Sequence, residues 1–159
     1  MTATTSWQSE TSVSPPMIDI VVPDDLAELD QWLLWCRESV QGRETKVPYG
    51  LNGQRASSTD PLTWCPFPEA LNAWRRNPRR YAGLGFVFSL DDPFCGIDLD
   101  DSLDVDGNVK PWAFGIVERF SDTYMEVSPS GYGLKIWARG SLPLNLPGVK
   151  VADGQIELY

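Results

Sequence analysis

Two short apolar runs near the middle of the chain place the strongest constraint on its fold. They are GLGFVFS (residues 83–89) and FCGIDLD (residues 94–100), and the turn-forming sequence Asp91-Asp92-Pro93 separates them. Runs of this length, bounded by turn residues, are typical of buried strands. The pattern predicts a β-hairpin at the heart of a sheet.

Further extended and helical patterns flank this pair. Two amphipathic helices are predicted, one ending before Pro78 and one opening at Pro111, with single helical turns near Asp24 and Asp60. This order of elements predicts an α/β (α+β) two-layer domain with a mainly antiparallel sheet. The other predicted strands are QWLLWC (31–36), KVPYG (46–50), YMEVS (124–128), GLKIWARG (133–140) and GQIELY (154–159), and the helix stripes are Phe67, Ala70, Leu71 and Trp74, then Trp112, Ile116, Val117 and Phe120.

The length and composition indicate one domain. With 159 residues, 42% of them apolar, the chain can bury one sizeable core. Residues 1–17 are rich in Ser and Thr and lack periodicity, so they are predicted to be a disordered tail before a domain at 18–159. The sequence contains neither a membrane-spanning run nor a signal peptide, which predicts a cytoplasmic protein without a membrane partner.

The residue inventory limits the available chemistry. The chain has no histidine, which excludes histidine bases and ligands, and its three cysteines lack the spacing of a disulfide framework or zinc site. Catalysis would have to use carboxylates, hydroxyls and amines. The net charge of −9 opposes tight DNA binding. A carboxylate cluster that holds cations would, however, reverse the local field.

The run GIDLDD contains the strongest candidate site. Strand alternation places Asp98 and Asp100 on one face, with Ile97 and Leu99 on the other. Two carboxylates at this spacing suit Mg²⁺ or Mn²⁺. The alternative is a solvated strand end that leads into an acidic loop, although a strand buried on one face has no structural need for carboxylates there.

A calcium loop fits the following acidic stretch poorly. If Gly107 is the sixth loop position, the first ligand would be Ser102 and the twelfth would be Ala113, where a glutamate is required.

Two further segments could bind anions. In SPSGYGLKIWARG, glycines permit close approach to a ligand, and Lys135 and Arg139 share a strand face, although a plain hairpin turn explains the same glycines. In the other segment, Lys46, Tyr49 and the run ASSTDP could line an anion pocket at a helix start. Helix capping by Ser58, Thr59 or Asp60 explains these hydroxyls equally well.

The order of these segments, from about residue 31 to residue 159, resembles the primase-polymerase domains of the archaeo-eukaryotic primase superfamily. The resemblance is to those of phages, plasmids and bacterial mobile elements. GLGFVF followed by GIDLDD and then by EVSPSGxGLKI carries most of its specificity.

The resemblance implies a fold with an RRM-like catalytic half and metal-dependent, template-directed nucleotidyl transfer. It implies a two-metal site for Mg²⁺ or Mn²⁺, dNTP or NTP and single-stranded or primer-template DNA as substrates, and a helicase domain or protein as a partner. The metal ligands would be Asp98, Asp100 and Glu157, and the nucleotide-binding residues would be Lys135, Ser130, Gly131, Lys46, Arg139 and Ser58.

The chain departs from the family pattern at Lys135, where the family commonly has histidine. Such domains also usually continue past the strand that matches QIELY, so the domain is expected to be incomplete at its C-terminus. Two alternatives therefore stay open. One is a module that binds nucleotide or nucleic acid without catalysis, and the other is an acidic calcium-binding or protein-interaction domain.

Overall fold

The computed structural model describes residues 20–142 and 149–159, so the predicted tail at 1–17 lies outside the described residues. The described chain forms three helices and eight strands. They are α1 (Asp24–Ala27), β1 (Trp32–Val40), β2 (Arg43–Tyr49), α2 (Phe67–Arg76), β3 (Gly83–Phe86), β4 (Phe94–Leu99), α3 (Pro111–Arg119), β5 (Tyr124–Val127), β6 (Leu134–Arg139), β7 (Val149–Val151) and β8 (Ile156–Leu158), with 3-10 turns at Pro61–Thr63 and Ala152–Gly154.

The strands form two antiparallel sheets. The smaller sheet has the order β2-β1-β3, and the larger has the order β5-β6-β4-β8-β7. The predicted α+β class with antiparallel pairing is confirmed. Both predicted amphipathic helices also form, and α2 ends at Arg76, before Pro78. In the described parts of the chain, no helix is long and apolar enough to cross a membrane.

The predicted hairpin between the two central apolar runs is wrong. β3 pairs with β1, whereas β4 lies in the other sheet, between β6 and β8. The chain leaves β3 at Val87, whose N–H donates to the Gln31 carbonyl (2.8 Å) and whose carbonyl accepts from the Gln31 side chain (2.6 Å). Asp92 then accepts the N–H groups of Ser89 and Phe94, at 2.7 and 2.8 Å. These contacts turn the chain towards the second sheet.

Alternation along β4 separates an apolar face from a polar one. Ile97 and Leu99 belong to the core beneath α3, whereas Gly96 and Asp98 lie on the opposite face. All four residues of the predicted α3 stripe pack against this core. The core is formed by Ile97, Leu99, Leu103, Ala113, Leu134 and Ile136, with Trp112, Ile116, Val117 and Phe120 packed against it.

A second core joins the two sheets and the first two helices. It is built around Leu26, Trp32, Cys65, Ala70 and Phe94. The helical turn predicted near Asp24 is present as α1, although it begins after Pro23 without a side-chain cap. The aromatic residues packed around this core are Phe67, Phe86, Phe88, Tyr124 and Trp137.

Gly96 allows this second core to reach the polar face of β4. A Cβ atom at position 96 would lie 2.5 Å from the ring of Phe88, too close for any real contact. We expect Gly96→Ala to lower the free energy of unfolding by about 1–3 kcal/mol, because the ring must move out of a packed position.

Urea denaturation measures this loss, and Gly115→Ala is the matched control. Gly115 lies within α3 with open space around its Cβ position, so alanine there should be neutral or stabilising by up to about 1 kcal/mol. Equal effects at the two positions would contradict the packing argument.

Candidate functional site

A row of five ionisable residues crosses the larger sheet on the face opposite α3. Cross-strand register places Glu126 opposite Lys135, Lys135 opposite Asp98, Asp98 opposite Glu157, and Glu157 opposite Lys150. Directly opposed residues share a face and lie close together. We call these five residues the charged row. It brings Asp98, Glu157 and Lys135, which are distant in sequence, next to one another.

Asp98 lies in the middle of the row and is largely buried, with 14% of its side chain exposed. One carboxylate oxygen, Oδ2, accepts from the ammonium group of Lys135. The other, Oδ1, is buried, and no group in the described residues donates to it. An unsatisfied buried carboxylate oxygen is costly, so this atom is suited to receive a cation.

Asp100 extends the acidic surface beyond the end of β4. Its N–H donates to the Gln155 carbonyl at 2.8 Å, so pairing with the chain before β8 continues here. Burial, followed by the negative charges of Asp98 and Glu157, raises the pKa of Asp100. The three predicted metal-binding carboxylates are therefore electrostatic neighbours.

Glu157 is held by neighbours that the sequence did not predict. Its carboxylate accepts from Lys150 and from the Tyr159 hydroxyl, and these bonds lower the pKa of Glu157. Burial raises the pKa of Glu126, at the far end of the row. Lys150 lies in a strand that showed no clear sequence pattern, whereas the alternation in YMEVS could have indicated Glu126.

The oxygen ligands of the row are of the type that Mg²⁺ or Mn²⁺ prefers, and the unpaired Asp98 oxygen fits such an ion. Across residues 20–142 and 149–159, however, no three acidic or cysteine side chains converge tightly enough to hold a metal. Two of the carboxylates are instead neutralised by Lys135 and Lys150. An ion would have to displace Lys135 to use both oxygens of Asp98.

The turn between β5 and β6 packs against the end of β4. A Cβ atom at Gly133 would lie 2.9 Å from the Leu99 carbonyl oxygen. The Ser128 and Ser130 hydroxyls are 2.7 Å apart, which fixes the turn. Ser130 and Gly131 are exposed at its tip, and Gly131 has a φ of +83°. The turn thus presents both residues near the acidic end of β4.

Lys46 approaches the charged row from the smaller sheet. Desolvation and the positive charge of Lys135 lower the pKa of Lys46, while Asp98 and Asp100 act in the opposite direction. Arg37 lies opposite Lys46 in the sheet, and its guanidinium donates to the Pro129 carbonyl at 3.3 Å. Two cations of the smaller sheet therefore border the row, of which the sequence predicted only Lys46.

The structure places two predicted nucleotide-binding residues elsewhere. Arg139 shares a face with Lys135 but pairs with Asp25 at the far end of β6. Ser58 lies in the exposed loop before the 3-10 turn, where Asp60 accepts the Leu62 N–H at 3.2 Å. Within the described parts of the chain, neither Arg139 nor Ser58 forms a hydrogen bond or ion pair with the charged row. The capping interpretation therefore accounts for Asp60.

The acidic loop after β4 satisfies its own carboxylate. Asp104 accepts the N–H groups of Asp106 and Asn108 at 2.9 and 2.8 Å, and bonds from Asn108 and Asp106 lower the pKa of Asp104. This loop has the geometry of a self-capped turn, which gives the calcium alternative no support.

Sequence comparison finds strong similarity to a phage protein. A DNA primase-polymerase from Nitratiruptor phage NrS-1 is 43% identical over 120 residues, which cover 74% of this chain. This chain belongs to the phage-type primase-polymerases. The match covers only 16% of the length of the phage protein. No protein-family model matches the chain.

In this primase-polymerase chain, the acidic neighbours of Asp100 should lower the stability of the folded state. Because the folded state raises the pKa of Asp100, its ionised form opposes folding. We expect Asp100→Asn to raise the melting temperature at pH 7. The advantage should disappear as the pH falls below about 3.9, the ordinary aspartate pKa, because the carboxyl is then protonated in both states.

Thermal unfolding between pH 3.5 and pH 7 tests this expectation, with Asp106→Asn in the exposed loop as the control for loss of one negative charge. A lower melting temperature for Asp100→Asn at pH 7 would show that the Asp100 carboxylate stabilises the fold.

Proposed function

We propose that this chain forms the metal- and nucleotide-binding core of a primase-polymerase. It would join nucleotides to a DNA strand during replication of a phage, plasmid or mobile element. The observation that carries the proposal is the buried, unpaired oxygen of Asp98 beside Glu157 and Asp100. The match to the phage primase-polymerase supports the reaction class.

Asp98, Asp100 and Glu157 would hold Mg²⁺ or Mn²⁺. Such ions, when bound, favour ionisation of the attacking 3′-hydroxyl and stabilise charge on the triphosphate. Lys135 would donate to phosphate oxygens once it leaves Asp98, and Lys46 would donate from the opposite sheet. Ser130 and Gly131 would contribute polar groups from the exposed turn. No protein general base is needed, which suits a chain without histidine.

The DNA substrate is part of the same proposal. Single-stranded or primer-template DNA would bind near the charged row, and a helicase domain or protein would act with it, as the resemblance implies. Since the net charge is −9, DNA binding by this chain should depend on the cations at the site. Removal of divalent ions should therefore weaken DNA binding as well as catalysis.

Primer extension tests the proposal directly. The folded chain is incubated with primer-template DNA and dNTPs, with Mn²⁺ or with a chelator. Extension that requires Mn²⁺ would support the proposal. Failure to extend the primer and failure to bind dNTP in Mn²⁺ would together overturn it.

A second candidate function is nucleotide binding without transfer. The contact between Lys135 and Asp98 favours it, because an ammonium group occupies a carboxylate that the reaction would need for a metal. This candidate predicts Mn²⁺-dependent dNTP binding without primer extension. It also predicts that Lys135→His, which restores the residue common in the family, gains extension activity.

A further inference from the structure

Trp35 lies on the face of the smaller sheet that carries Arg37 and Lys46. Alternation along β1 places Trp35 and Arg37 on one face, and the register places Lys46 directly opposite Arg37. Trp35 is half-buried, so part of its ring remains accessible. In the described residues no other aromatic ring stacks on Trp35, although the remaining core aromatics pair with one another.

The indole is fixed in place by β3. Its Nε1 donates to the Leu84 carbonyl at 3.1 Å. A Cβ atom at Gly83 would lie 2.8 Å from this nitrogen, so the ring lies over a position that only glycine can occupy. An ordered, partly exposed ring of this kind favours stacking with a ligand, because little side-chain entropy is lost when the ligand binds.

Two cations lie over this ring at cation–π distance, so a group that stacks on the ring must displace them. The Lys46 ammonium is 5.7 Å and the Arg37 guanidinium carbon is 5.8 Å from the Trp35 ring centroid. Lys46 also interacts with Lys135, Asp98 and Asp100 of the carboxylate site. The order along the surface is therefore aromatic ring, cations and then carboxylates. A nucleoside triphosphate has the matching order of base, phosphates and bound metal.

We propose that Trp35 stacks on the base of the bound nucleoside triphosphate, with Lys46 and Arg37 on its phosphates. This inference rests on the proposed function, because it extends the same site. It adds a contact that depends on the base and that tripolyphosphate, which lacks a base, cannot make. Stacking on an indole tolerates every base but favours the larger purines.

Binding measurements in Mn²⁺ test the contact with three variants of the full chain. Trp35→Leu should weaken dATP binding about tenfold, the scale of one lost base stack. Trp35→Phe, which retains a smaller ring, should weaken it less. Neither change should alter the affinity for inorganic tripolyphosphate. Trp112→Phe is the control, because Trp112 lies in α3 and packs on the opposite side of the larger sheet, and this variant should bind dATP like the wild type.

The possible outcomes separate the two proposals. If the wild type binds tripolyphosphate but binds dATP no more tightly, the base contact is wrong while the phosphate site stands. If it binds neither ligand, both proposals fail. Equal losses for dATP and tripolyphosphate in Trp35→Leu and Trp35→Phe would make Trp35 a structural residue. Weaker binding only of a single-stranded oligonucleotide would assign the ring to DNA and overturn the nucleotide assignment.

Discussion

We expect Asp98→Asn to lower Mn²⁺-dependent primer extension by at least about 100-fold, because the substitution removes the charge of the central carboxylate in the charged row. Losses of about 10- to 100-fold are typical even for groups that only support metal ligands, and Asp98 would be a ligand itself. The asparagine keeps the size of the side chain, so the fold should be retained. Steady-state extension rates at saturating dNTP, with a circular dichroism spectrum of each protein, give the comparison.

Asp106→Asn is the matched control for this experiment. It removes the same charge from an exposed position in the loop after β4. Its extension rate should equal that of the wild type. An Asp98→Asn protein that is folded and extends primers at the wild-type rate would remove Asp98 from the catalytic site.

We expect Lys135→Ala to lower the free energy of unfolding by about 1–3 kcal/mol in the absence of divalent ions. The change leaves the Asp98 carboxylate, only 14% exposed, without its positive partner. Loss of one partner from a fully buried pair costs more, about 3–5 kcal/mol, but Lys135 is 28% exposed and solvent screens part of the effect. Urea denaturation with and without Mn²⁺ measures both the loss and its recovery.

Mn²⁺ should stabilise Lys135→Ala more than it stabilises the wild type, since the ion no longer competes with an ammonium group for Asp98. Arg139→Ala is the control. Arg139 lies on the same strand face as Lys135, but it forms an exposed ion pair with Asp25 of α1. That variant should lose at most about 1 kcal/mol and should show no additional response to Mn²⁺. A Lys135→Ala protein with wild-type stability and no Mn²⁺ response would argue against cation competition at Asp98.

Local patterns predicted most elements of the fold. Short apolar runs bounded by turn residues identified β1, β4 and β6, and the apolar stripes identified α2 and α3, because each pattern reports burial in a core. The same patterns did not predict which sheet each strand joins. The turn residues around Asp92 indicate a change of chain direction, but the pairing of β3 with β1 depends on long-range contacts such as Gln31 with Val87. Such long-range contacts cannot be identified from local sequence patterns.

The candidate site was predictable where strand alternation determines a face. Asp98 and Asp100 could be placed together from their spacing, whereas Glu157 was predicted only from the resemblance of its segment to the family pattern. The binding of Lys135 to Asp98 could not be predicted, since it requires the register between β4 and β6. Arg139 shows that two residues on one strand face need not belong to the same site. It shares a strand face with Lys135, yet four residues along a strand span roughly 13 Å, which places it against Asp25 instead.

Crystals of the chain grown with Mn²⁺ and a non-hydrolysable dNTP analogue test the central claim most directly. The anomalous scattering of manganese locates the ions without reference to any assumed site. We expect manganese peaks at coordinating distance from Asp98 and Glu157, with the Lys135 ammonium moved from Asp98 to the triphosphate. An ordered analogue with no manganese at these carboxylates, and with Lys135 still bound to Asp98, would contradict the proposed metal site.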